Sequence, residues 1–219
     1  MKRLPNGNIE LTFTLPWVTV AAAREKLIVD AVATAEIAGF RKGRAPRKDV
    51  EAKLDPGQLL SKAISNALPD AYTKAVDAQK LKPVLYPKIQ IQKGQEGQDW
   101  EIMALTCEAP EVTLPDLSKT AGKIDMKKLL QTAKVKLSDL ITESEANHRL
   151  SHLADNLTSL GMDVNKYLDS KKMTLEDLKA KTVQEAKKDL RTEFILQKLQ
   201  VELKTKNRQD TLDRLTNIV

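Results

Sequence analysis

The stretch "NIELTFTLP", residues 8–16, decides how the first half of this chain is read. Ile9, Leu11, Phe13 and Leu15 fall on one side of an extended backbone, and Glu10, Thr12 and Thr14 on the other. That period of two is the pattern of a half-buried strand. Past Trp17 the period changes. Val20, Ala23, Leu27, Ala31 and Ala35 recur at helical spacing, which predicts a helix from a Thr19 cap to about Ala38. Gly39 then suits the position that ends it. A strand followed at once by a long helix needs further strands to complete a sheet, and the sequence supplies them.

Pro46 fits the first turn of a short helix reaching about Leu54, and "DPGQ" restarts the chain as a helix over about 56–79, interrupted or kinked at Pro69. Segments 87–93 and 98–108 read as two strands joined by a glycine-containing turn. These elements make an α+β domain over residues 1–115. Residues 116–137 change character: six lysines and few large apolar groups predict a basic linker with at most a weak helix. From 138 to 219 the chain reads as an elongated all-α domain. Its first helix carries Leu140, Leu150, Leu153, Leu157 and Leu160 on one side and closes at Gly161. Its second long helix opens on a capping-box pattern, Thr174-x-x-Asp177, and turns Leu178, Ala186, Leu190, Phe194 and Leu199 inward.

Composition narrows the function classes. Aromatics are 4% of 219 residues, which argues against a deep aromatic-lined ligand pocket. The single Cys107 cannot form an intrachain disulfide, and nothing approaches the roughly 18 apolar residues a membrane span needs. The amino-terminal "MKRLPNGNIELTF" lacks the apolar run of a secretory signal, so the expected location is cytoplasmic, with no membrane partner. The net charge of +6 is unevenly placed: +1 over residues 1–118 and +5 over 119–219. The basic cluster at 41–48 therefore stands out locally against a nearly neutral half.

That cluster lies in "EIAGFRKGRAPRKD", residues 36–49, where Phe40 sits among Arg41, Lys42, Arg44, Arg47 and Lys48. Gly39, Gly43 and Pro46 punctuate it as a loop. Such a loop offers charge-assisted bonds to phosphates or carboxylates, and an aromatic face to bury against a partner. The plain alternative makes Phe40 a cap over its own core and the cations a solvated face.

The segment "GFRKGRAP", residues 39–46, resembles the ribosome-docking signature of bacterial trigger factors, and it stands at the same place, after a long first helix. "GMDVNKYLDSKKMTLEDLKAKTVQEAKKDLRTEFILQKL" is similar to the helical carboxy-terminal domain of short members of that family. The resemblance implies ribosome binding through Gly39, Phe40, Arg41, Lys42, Gly43, Arg44 and Pro46. It implies contact with an exit-tunnel protein and ribosomal RNA, and ATP-independent shielding of unfolded nascent polypeptides. Leu150, Leu153, Leu157 and Phe194 become candidate client contacts, and homodimerisation of the free protein is left open. The family's prolyl isomerase domain has no counterpart here. The linker stands in its place, and residues 101–166 hold no Phe, Tyr or Trp to wall such a site. The expectation is a chaperone and not an enzyme. The alternative is a ribosomal-RNA-binding assembly or regulatory factor without client binding.

Other signals are weaker. His148 and His152 stand four apart on a predicted helix with Glu145 before them, but the chain has no further His and only one Cys to complete a first shell. No metal or cofactor is expected. Cys107 reads as a small core residue, and "TAGK" at 120–123 lacks the rest of a phosphate-binding loop.

Overall fold

The computed structural model describes residues 1–116 and 124–216, so the "TAGK" segment lies outside the described residues. The chain divides into two compact units: Met1–Lys2 with Ile9–Thr106, and Arg3–Asn8 with Cys107–Val219.

In the first unit, β1 (Lys2–Arg3), β2 (Asn8–Leu15), β3 (Lys88–Lys93) and β4 (Trp100–Cys107) form a sheet of order β1-β2-β4-β3. The alternation in β2 is realised as expected: Ile9, Leu11 and Leu15 are buried and Thr12 and Thr14 are not. β3 and β4 pair antiparallel, with Ile89 opposite Ala104 and Ile91 opposite Ile102. Helices α1 (Trp17–Thr34) and α3 (Pro56–Ala78) bury Val20, Ala63 and Ala67 with Leu15, Trp100 and Ile102. The short α2 (Arg47–Glu51) lies between them in sequence.

The first helix differs from its expected bounds at both ends. It starts at Trp17, not after a Thr19 cap, because Asp99 accepts a 2.8 Å bond from the Trp17 N–H and satisfies an orphan donor. It ends at Thr34, four residues early, because Ala35 is already extended at φ −61°, ψ 137°. α3 runs unbroken through Pro69, with Asp55 capping it by accepting from Gln58 N–H at 2.8 Å.

The second unit is predominantly helical, as expected, and also holds two short strand pairs. β5 (Val112–Thr113) pairs antiparallel with β7 (Lys134–Val135), and β6 (Ile124–Asp125) pairs parallel with β8 (Leu215–Thr216). Its helices are α4 (Met126–Thr132), α5 (Asp139–Ser159), α6 (Val164–Lys171), α7 (Leu175–Leu203) and α8 (Arg208–Leu212).

The stretch expected to be a connector thus differs over its described part. Met126, Leu129 and Ala133 recur on one side of α4 and are buried with Ile195, Leu196, Leu199 and Leu215. The lysines that dominate the composition occupy the other side: Lys127 and Lys128 are exposed. Arg191 of α7 fixes the helix end by donating 2.9 Å bonds to the carbonyls of Leu130 and Ala133. The expected capping box is present: Asp177 N–H donates to Thr174 Oγ1 at 3.1 Å, and Thr174 N–H to Asp177 at 3.0 Å. α5 closes at Gly161, at φ +67°, with Met162 N–H reaching back to the Leu157 carbonyl at 2.9 Å.

Candidate functional site: a basic loop and a helical cleft

The loop of residues 39–46 is built from two consecutive turns. Phe40 N–H donates to the Ile37 carbonyl at 3.0 Å, and Arg44 N–H to that of Arg41 at 2.9 Å. Gly39 and Gly43 take the third position of each turn with φ of +88° and +70°, the backbone that favours glycine there. Their constraints differ. A Cβ on Gly39 would meet nothing within 4 Å, whereas one on Gly43 would stand 2.5 Å from the Ala33 carbonyl oxygen. Gly43 N–H also donates to the Ala35 carbonyl at 3.0 Å, which ties the loop back to the end of α1.

This scaffold holds Phe40 45% exposed, although it is one of three phenylalanines in the chain. Arg41, Lys42, Arg44 and Pro46 are exposed around it, while Ala45 is buried and anchors the base. The alternative in which Phe40 is covered by its own core does not describe this geometry.

The five cations are not equivalent. Arg47 is engaged by Glu25 of α1 (2.5 and 2.7 Å) and by Glu51 (2.5 Å). Hydrogen bonds to the two carboxylates push the Arg47 pKa up, and the Glu25 carboxyl is held low by the hydrogen bond from Arg47. Arg47 therefore staples α2 to α1, its charge matched by two carboxylates. Lys42 pairs with Glu36 at 3.0 Å, with both side chains well exposed. Arg41, Arg44 and Lys48 have no ion pair among the described residues.

In the second unit, α5, α6 and α7 enclose an open cleft. Leu150, Leu153, Tyr167, Met173 and Leu178 give its apolar lining, and Arg149, Lys171 and Lys181 stand among its polar groups. Arg149 is held by Glu145 at 2.7 Å and Asp189 at 2.8 Å, and Lys171 lies 6.0 Å from the Tyr167 ring centroid. Of the four leucine and phenylalanine candidates, Leu150 and Leu153 thus share one surface. Leu157 is 5% exposed and belongs to the packing, which removes it as a contact in this conformation, and Phe194 is half-buried. Tyr167 and Met173 were not singled out by the sequence reading. Their signal is weak because α6 is only eight residues long and Met173 lies outside any helix.

Cys107 is fully buried, and that burial pushes its thiol pKa up, with a hydrogen bond to Ser138 working against it. Among the described residues no group of three or more His, Cys, Asp or Glu side chains converges as a metal site, and no helix is long and apolar enough to cross a membrane.

Residues 1–149 match the family model described as "Bacterial trigger factor protein (TF)", and residues 123–217 match that of its C-terminus. The two matches overlap, so no intervening domain of isomerase size separates them in this chain. The chain is 28% identical over 152 residues to a trigger factor of Lactococcus lactis subsp. cremoris, covering 69% of this chain and 33% of the relative. It is 31% identical over 145 residues to a trigger factor of Staphylococcus aureus, covering 66% and 32%. The chain thus spans about a third of the length of these relatives. A solved structure, "Promiscuous Substrate Recognition in Folding and Assembly Activities of the Trigger Factor Chaperone", aligns with 71% of this chain and 35% of its own. The identity is 23% and the TM-score 0.40.

Proposed function

The chain belongs to the bacterial trigger factor family, and from that premise we propose that it is a cytoplasmic, ribosome-associated chaperone that works without nucleotide and without prolyl isomerase chemistry. The observation that carries this reading is the loop of residues 39–46. Glycine turns hold an exposed Phe40 among exposed Arg41, Lys42 and Arg44, within the segment matched to the family. The loop docks beside the nascent-chain exit, its cations meeting RNA phosphates or acidic protein groups and Phe40 burying its ring against the ribosomal surface. Lys42 exchanges its solvated pairing with Glu36 for a ribosomal anion at little cost, since exposed pairs contribute little.

Client contact falls to the cleft of Leu150, Leu153, Tyr167 and Met173. Each leucine fully covered by a client contributes about 1.5 to 3 kcal/mol, so a few such contacts give weak, reversible capture after the cost of association. Release then needs only that the client bury the same groups in its own core.

Co-sedimentation with ribosomes tests the docking step. The chain with Phe40, Arg41 and Lys42 all replaced by alanine should lose ribosome binding by about tenfold or more, with its thermal unfolding nearly unchanged. Binding of the parent chain should also weaken steeply with salt. Equal sedimentation of mutant and parent would refute docking through this loop. A parent that binds ribosomes but does not slow aggregation of an unfolded client would favour the RNA-binding assembly factor instead.

A further inference from the structure

On the exposed face of α5, His148 and His152 bring their Nε2 atoms to 3.1 Å of each other, with the rings 4.4 Å apart at 82°. Two imidazole nitrogens bound to one ion at about 2.0–2.1 Å stand roughly 2.9 to 3.4 Å apart for ligand angles between square and tetrahedral. The observed separation lies within that window. The helix sets this bite, because residues four apart lie one above the other on one face.

We propose that His148 and His152 form a two-point chelate for a single late first-row divalent transition ion, of the Zn(II), Ni(II) or Cu(II) class. Lone imidazole nitrogens select these borderline ions over Mg(II) or Ca(II), which prefer oxygen. Before binding, one Nε2–H donates to the other Nε2. On binding, that ring carries its proton on Nδ1 instead, and both Nε2 lone pairs go to the ion.

The neighbouring guanidinium does not oppose the ion. Arg149 is drawn to Glu145 and to Asp189 of α7, at 2.7 and 2.8 Å. With no third His, Cys, Asp or Glu converging among the described residues, water completes the shell, and affinity is micromolar rather than that of a structural zinc site. The sequence alone gives no expectation of a metal at this pair; the ring geometry is what points to an open, exchangeable chelate. It does not depend on the chaperone reading.

The chain has only these two histidines, so the untagged chain gives a direct measurement. Zn(II) titrated in competition with a chromogenic chelator should show one ion per chain. His148→Ala and His152→Ala should each weaken binding by at least about tenfold, since losing one arm forfeits the effective concentration of the other. The double variant His148→Ala/Asn156→His moves the pair one turn along the exposed face and should restore binding. Circular dichroism would show all variants folded. Absence of stoichiometric Zn(II) binding, single variants that bind like the parent, or failure of the shifted pair to rescue would each overturn the proposal.

Discussion

The loop of residues 39–46 and the cleft of α5–α7 expose apolar groups by opposite means. The loop is local: its shape follows from two glycines with positive φ, the Ala35 carbonyl just past the end of α1 and one proline, all within about a dozen residues. The cleft is assembled from three helices, and its lining residues span positions 149 to 185. A local site tolerates change in the surrounding core but not in its own backbone, whereas an assembled one is sensitive to packing that never touches a ligand.

The largest effect should come from the core beneath the helical unit. Leu199→Ala removes a fully buried side chain from the cluster of Ile124, Leu129 and Ile195 and should cost about 2–5 kcal/mol in denaturant unfolding. Ribosome binding through the loop should persist wherever the chain remains folded. Loss of ribosome binding in the folded variant would break the separation between the two sites.

Gly43→Ala should act in the opposite sense. The new Cβ meets the Ala33 carbonyl at 2.5 Å in a backbone region that disfavours it, so the turn must reopen. That strain is of order 1–3 kcal/mol. Ribosome binding should fall several-fold more than in Gly39→Ala, whose Cβ enters open space. Equal behaviour of the two variants would show that the packing of the loop against α1 is irrelevant to docking.

Leu150→Ala should leave stability within about 1 kcal/mol while reducing suppression of client aggregation, because its side chain is only half-buried in the cleft. If suppression is unchanged, the clients bind elsewhere.

The smallest effect concerns pH. Hydrogen bonds from the Thr174 backbone and side chain hold the Asp177 carboxyl below the usual Asp range. A depressed folded value means this contribution is complete above the ordinary Asp range and is lost as pH falls through the lowered one. The Tm gap between the parent and Asp177→Asn should therefore narrow between pH 6 and pH 2, and a constant gap would contradict the assignment. At the limit of no effect, the protein should not accelerate cis–trans isomerisation of a short prolyl peptide above its spontaneous rate of about tens to hundreds of seconds. Clear acceleration would point to an isomerase site that neither surface provides.

The sequence by itself determined what depends on near neighbours. Strand β2 follows from alternation, the hairpin of β3 and β4 from paired strand signals, the α7 cap from Thr174 and Asp177, and the loop from its glycines and cations. Their signals are read within a few residues, from side-chain alternation, turn backbone and local capping bonds. Tertiary structure decided what depends on distant groups. Asp99 starts α1 at Trp17, 82 residues away; Glu25 engages Arg47 in an ion pair; Arg191 and the apolar face of α7 turn a lysine-rich stretch into helix α4. It also decided which leucines face outward. Leu150 and Leu157 are both leucines of one helical stripe, yet one lines a cleft and the other is buried, because burial is a property of the neighbour and not of the repeat.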